Sequence, residues 1–329
     1  VAEQPSVPNY RDTTGAFTRD DELWVRLKGP VTVAAVGAAA AELAGRSDAR
    51  LVVRGAEDTD LGFLSDLPPL HHLQVFTSGV RDVGALARHA DTLRTVQLSL
   101  GRHPVAVDVL GALPQLRQLY LLKNGPAAVK GAPDAVAHAT QLEHLVLHST
   151  TIPSIAPLTG LPQLRGLALK LGGAPDLTAF PELPALRFFE AWQVRGLTDL
   201  SPIAASPTLE VLNLESLRRA TLPDFSRAVS LQHVLIDNLP MTEGLAGLAA
   251  APALRQLTIA RPVFEPAEVD VLRGHHTLQA AWIPIRGRGV TDDEMRLGLA
   301  HPHDAPFVAF GAGVMGLPPD GWDGHYLDG

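Results

Sequence analysis

The sequence predicts an α/β solenoid, with parallel strands side by side along a concave face and short helical or 3₁₀ segments along the convex one. Three observations predict it. The stretch Leu161 to Lys170, LPQLRGLALK, sets Leu164, Leu167 and Leu169 in the order L-x-x-L-x-L, and that spacing recurs along most of the 329 residues. Counted from the first position, units open at Asp48, Leu70, Leu93, Leu116, Leu142, Leu164, Leu186, Leu209, Leu231, Leu254 and Leu278, 22 to 26 residues apart. A period of that length marks a repeat array, in which each unit buries its apolar side only against its neighbours. Proline stands two residues before the first leucine at Pro68, Pro114, Pro162, Pro184, Pro207 and Pro252. Its fixed φ closes the helical return and sends the chain extended into the next strand.

Each half of a unit has its own physics. Leu167 and Leu169 are two apart, so on a strand they point the same way, into the core, and the residues between them point out. In the other half the apolar spacing loosens to three, as in Ile152, Ile155, Leu158 and Leu161, or Leu197, Leu200 and Ile203. That suits a 3₁₀ turn or short helix behind the strand. Strands about 4.8 Å apart are narrower than the helical side, so the stack is expected to curve with its strands inside.

Residues 1 to about 20 read as a polar arm on the body. LWVRL then alternates, and after Gly29 and Pro30 comes VTVAAV followed by the Ala-rich GAAAAELAG. Alternation suits a strand and the Ala-rich run a helix ending at Gly45. This pair is expected to form a lid over the first repeat, with Trp24 in its core, because an open sheet end would leave an unpaired edge. Strand, glycine, helix is also the order of a dinucleotide site, but G-x-G-x-x-G is absent. After Trp282 the repeat fades. Thr291 with Asp292, Asp293 and Glu294 has the form of a capping box opening a helix to about Ala300; PFVAFGAGVMGL would cover the last repeat, and a Gly/Asp-rich tail ends the chain. The expected organisation is a strand-helix cap over residues 1–46, a solenoid of eleven units over 47–285, and a C-terminal cap and tail over 286–329, as one continuous body.

These repeats resemble those of leucine-rich-repeat proteins. The phrases DLSPI at 199–203 and IAPLTGLPQL at 155–164 are most similar to the short internalin-like class. The resemblance covers roughly residues 48–285 and implies a right-handed superhelix of bacterial type. One departure stands out. The family places Asn eight residues after the first leucine, where it bonds to loop backbone, and only Asn124 keeps it. Ser78 and Thr150 are partial substitutes, while Gly101, Gly172 and Pro262 are not, so the turns are expected to be less uniform.

A net charge of −8 and a pI near 5.9 argue against nucleic acid or an anionic membrane as partner. Cysteine is absent, which rules out disulfides and thiolate metal sites. The N-terminal stretch has no basic start or apolar run, and no segment approaches 18 apolar residues. A cytoplasmic location is the simplest reading.

No G-x-S-x-G, H-E-x-x-H or G-x-x-x-x-G-K-[ST] motif occurs, so no catalytic residue, metal site or cofactor is assigned. His301, His303 and Asp304 have ligand chemistry but sit in a Pro-rich turn, where solvent-facing loop polarity accounts for them. His144 and His148 share a strand face about 13 Å apart, too far for one ion, and read as surface groups.

The outward strand positions make the better candidate. The expected partner-binding residues are Tyr120, Leu122, Val146, His148, Lys170, Phe188, Glu190, Trp192, Asn213, Glu215 and Asp237. Phe188 and Trp192 flank Glu190 as exposed aromatics, the composition of a binding hot spot. Cations lie toward the first half, at Arg50, Arg54 and Lys170, and carboxylates toward the second. The structural alternative is cross-strand packing, Phe188 on Val211 and a cation–π pair of Lys170 with Trp192. The resulting expectation is a non-enzymatic module that binds another protein, as an inhibitor or immunity protein or as a scaffold, and is itself a monomer or weak oligomer. The alternatives are an enzyme with its site in the terminal caps at His301, His303 and Asp304, or a self-associating repeat protein.

Overall fold

The structure is a computed structural model that describes residues 15–19, 22–55, 58–77, 79–173, 175–241 and 244–286. The chain divides into two compact units, Val1–Ala139 and Thr140–Gly329. Each is a stack of repeats.

In the first unit, β1 (Gly15–Arg19) runs antiparallel to β2 (Glu22–Lys28). From β2 onward, β3 (Arg50–Arg54), β4 (His72–Phe76), β5 (Thr95–Leu100) and β6 (Gln118–Lys123) pair in chain order and parallel. The strand expected to lie in a lid, β2, pairs along the edge of β3, and β1 pairs with its outer edge. Helix α1 (Val33–Leu43) follows β2 and begins inside VTVAAV, because Thr32 caps it by accepting the Ala35 N–H at 3.2 Å. Val36, Ala39 and Leu43 are its buried stripe, and Gly45 ends the turn at φ 71°. Behind the later strands lie 3₁₀ segments at Gly62–Asp66, Gly84–His89 and Asp108–Ala112, then α2 (Ala132–His138).

The second unit repeats the plan with β7 (His144–His148), β8 (Gly166–Lys170), β9 (Phe188–Trp192), β10 (Val211–Glu215), β11 (His233–Asp237), β12 (Gln256–Ile259) and β13 (Ala280–Trp282). All pair parallel and in register. Their returns are 3₁₀ turns at Ala156–Gly160 and Phe180–Glu182 and single helical turns at Ser201–Ala204, Ala246–Ala249 and Pro266–Val269.

The L-x-x-L-x-L residues form the interior as the spacing requires. Leu164, Leu167, Leu209, Leu212, Leu214, Leu254 and Leu257 are all buried, and so is the variant set Leu186, Phe189 and Ala191. Phe189 meets Phe180 of the 3₁₀ turn edge to face, with centroids 4.9 Å apart, which fixes this side of the sheet as the core side. Each such leucine contributes about 1.5–3 kcal/mol of burial.

Two devices make the turns. An Asp or Ser two residues before a backbone N–H accepts it as six of the returns open: Asp60, Asp82, Ser154, Asp176, Asp199 and Asp224 do so at 2.7–3.1 Å. This is the physical content of the D-L-x-P-L phrase. At the strand exits of the second unit, Ser149, Leu171, Gln193, Ser216 and Asn238 all adopt positive φ, between 48° and 56°. For the first four of them, the backbone N–H reaches forward to the carbonyl at the end of the next strand: Lys170, Trp192, Glu215 and Asp237 accept at 2.6–2.9 Å. A repeated backbone bond thus shapes the strand exits of the second unit, which are alike although the asparagine is missing from most of them. Asn124, the retained asparagine, donates to Ser99 Oγ at 2.6 Å. The expected C-terminal helix and cap, the tail, and His301, His303 and Asp304 lie outside the described residues, as does Ser78.

Candidate functional site

Alternation places three rows of side chains on the face opposite the core, the ladder face. In the second unit the first row is His144, Gly166, Phe188, Val211, His233, Gln256 and Ala280. The middle row is Val146, Ala168, Glu190, Asn213, Leu235, Thr258 and Trp282, and the third is His148, Lys170, Trp192, Glu215 and Asp237. Nine of the predicted partner-binding residues, Val146 to Asp237, therefore lie on one face of this unit. Tyr120 and Leu122 lie on the ladder face of the first unit, in register with Gln97 and Ser99.

The structure corrects the exposure expected for several of them. Phe188 is only 2% exposed, and Glu190, Val146, His148, Asn213 and Leu122 are also buried. Trp192, Lys170, Glu215, Asp237 and Tyr120 are half-buried. Parallel strands at about 4.8 Å crowd large side chains shoulder to shoulder, so outward-pointing does not mean accessible. Phe188 stands between Gly166, which has no side chain, and Val211. His144 and His148 are buried too and are not surface groups. Among the described residues no group of three His, Cys, Asp or Glu is arranged to hold a metal ion.

What the third and middle rows build is a chain of charged and aromatic contacts. Lys170 Nζ lies 3.1 Å from Glu190 Oε2 and 5.8 Å from the centre of the Trp192 ring. The cation–π pair expected from the sequence is present, and His148 lies across the same ring, with centroids 6.3 Å apart. Asp237 takes a two-pronged bond from Arg261, at 2.8 and 2.7 Å. Glu215 sits between Trp192 and Asp237 in register, and among the described residues its carboxylate has no hydrogen bond or ion pair. Arg261 follows β12 and has no strand-pattern signal, which is why spacing could not find it.

Electrostatics follow from burial. Burial pushes the Glu190 carboxyl above the ordinary range, although Lys170 pulls it back, and burial with the neighbouring Asp237 charge raises Glu215. Burial, reinforced by Arg165, takes His144 down to about 4, and burial with Lys170 lowers His148, so both are neutral at pH 7. Five buried polar atoms here have no hydrogen-bond partner: His144 Nδ1, His148 Nε2, Glu190 Oε2, Trp192 Nε1 and Asn213 Oδ1. The Lys170 contact with Glu190 Oε2 is close enough for an ion pair but not aligned as a hydrogen bond, so that oxygen retains accepting capacity. In the first row of this same face His233 and Gln256 satisfy one another sideways at 2.9 Å, whereas on the first unit's face Gln74 Oε1 is likewise buried without a partner.

The fold so defined is that of the leucine-rich-repeat proteins of the internalin-like class. It is similar to an internalin, InlF, of Listeria monocytogenes, with a TM-score of 0.56 and 19% identity over 74% of this chain and 69% of that one. It is also similar to a leucine-rich-repeat protein of Leptospira interrogans, with a TM-score of 0.50 and 16% identity over 80% of this chain and 72% of that one. The sequence itself matches no family model and no curated protein, so the likeness is one of fold.

Proposed function

We propose that this chain is a non-enzymatic binding protein and that the ladder face of its second unit docks another protein. The observation that carries the reading is the in-register cluster of Lys170, Glu190, Trp192, Asn213 and Glu215, held on paired strands with buried polar atoms left without partners. Polar groups buried inside a folded protein are nearly always hydrogen-bonded, and a cluster of exceptions on one face suits a surface completed by a second molecule. The strands are fixed by their neighbours, so docking costs little conformational entropy. An inhibitor or immunity role and a scaffold role both fit this mode, and a cytoplasmic location and a protein that is monomeric or only weakly oligomeric are part of the proposal.

The test is capture from an extract of the source organism on immobilised wild-type protein and on a Trp192→Ala, Glu215→Ala variant, each checked for an unchanged melting temperature. Phe188 is left intact because it is core-like. A protein retained by the wild type and lost by the variant is the expected result. A partner held equally by both would place the interface elsewhere.

A further inference from the structure

We infer that the ladder face of the second unit takes a guanidinium group, an arginine side chain of the partner, between Glu215 and Asn213. This deepens the docking reading and rests on it. Three carboxylates lie close together here, Glu190, Glu215 and Asp237, and the chain supplies cations to two of them. Lys170 pairs with Glu190 and Arg261 clamps Asp237. Glu215 lies between these pairs in the register, half-buried, and among the described residues its carboxylate has no hydrogen bond or ion pair. The charges of Lys170 and Arg261 reach its carboxylate, but neither cation bonds to it directly.

A second, independent observation points to a donor-rich ligand. Asn213, two residues before Glu215 on β10 and on the same face, is more than nine-tenths buried, and its Oδ1 accepts no hydrogen bond. In register beside it, Glu190 Oε2 also lacks an aligned donor. The arrangement is thus acceptor-rich, with a carboxylate, an amide oxygen and a further carboxylate oxygen against one unpartnered donor, the Trp192 Nε1–H. The Trp192 ring stands next to Glu215 on β9. Carboxylate, carbonyl and aromatic face together match the planar guanidinium, which donates from five N–H groups and stacks on rings, better than the compact ammonium of lysine. The face already demonstrates the chemistry on itself, with Arg261 bidentate on Asp237 and Lys170 against Trp192. Anionic ligands are disfavoured by the same carboxylates.

The probe is N-acetyl-arginine amide, with N-acetyl-citrulline amide as an uncharged isostere, titrated into the full chain while the Trp192 indole N–H signal is followed by NMR. The expected result is a saturable shift with the arginine compound and at least tenfold weaker binding of the citrulline one. Glu215→Gln should weaken arginine binding about tenfold and leave the melting temperature equal or higher, because it removes a charge facing Asp237. No saturable shift, equal binding of citrulline, or unchanged affinity in Glu215→Gln would overturn the assignment. Failure of the parent reading looks different: a captured partner would then be indifferent to Trp192→Ala. If Trp192→Ala abolishes capture while Glu215→Gln does not, the docking face stands and the guanidinium notch is wrong.

Discussion

The two units carry the same repeat and opposite chemistry. Among the described side chains on the ladder face of the first unit, the rows hold Arg26, Lys28, Arg50 and Arg54 and no carboxylate, with Arg50 over Trp24 at 5.5 Å and Arg54 over Phe76 at 4.6 Å. On the second, the rows hold one cation, Lys170, against Glu190, Glu215 and Asp237. The interiors are interchangeable in kind: Leu73, Val75, Val96 and Leu98 in one, Leu145, Leu147, Leu167 and Leu212 in the other, all buried. The core residues thus set the architecture, while the face residues are free to differ. The strand exits differ as well. The second unit turns on non-glycine residues at positive φ, whereas the first has Gly101 at φ 125°.

If the interiors are equivalent, removing one buried leucine from either unit should cost alike. Leu98→Ala and Leu167→Ala are each expected to lose about 2–5 kcal/mol, measured by chemical denaturation. A loss under 1 kcal/mol in one unit would break the equivalence. The charged face of the second unit supplies the next effect. Lys170→Met leaves the Glu190 carboxylate buried without its cation and should cost about 3 kcal/mol at pH 7. Adding Glu190→Leu to the Lys170→Met variant should recover most of it.

Acidification tests the same face. His144 binds its proton near 6.5 in the unfolded chain and at about 4 in the fold, so between those values the unfolded state holds more protons. Stability is therefore lost as pH falls through that window, by up to about 1.4 kcal/mol per pH unit from this group. The raised carboxyls of Glu190 and Glu215 act the other way, since protonation relieves them. In melting curves across pH 4 to 7, His144→Gln should show a shallower decline on acidification than the wild type. A steeper one contradicts the burial of His144.

Much of this was legible in the sequence. The interior could be read because a leucine has one stable place in a parallel stack, so the period gives the strands and the register. The rows of the ladder face follow from alternation. Three things did not follow. Phe188 could be placed on the face but not found buried, because accessibility depends on neighbours such as Gly166 that periodicity treats as equal. The missing asparagines suggested irregular turns, since backbone hydrogen bonds from Leu171 or Gln193 leave no mark on residue identity. Arg261 lies outside the strand pattern, so its clamp on Asp237 was invisible.

The smallest expected effect concerns those turns. Gln193→Gly relieves a left-handed backbone and should stabilise by up to about 1 kcal/mol. Gly101→Ala should destabilise by more, because its new methyl would meet the Gly125 backbone nitrogen at 2.7 Å. Equal effects of the two would remove the distinction between the units' strand exits.

The central claim is that the second unit's ladder face is the docking surface. It is tested most directly by measuring the affinity of the purified captured partner for two variants side by side. Trp192→Ala with Glu215→Ala should weaken it at least a hundredfold, while Arg50→Ala with Arg54→Ala should change it less than threefold. The reverse order of effects would contradict the account.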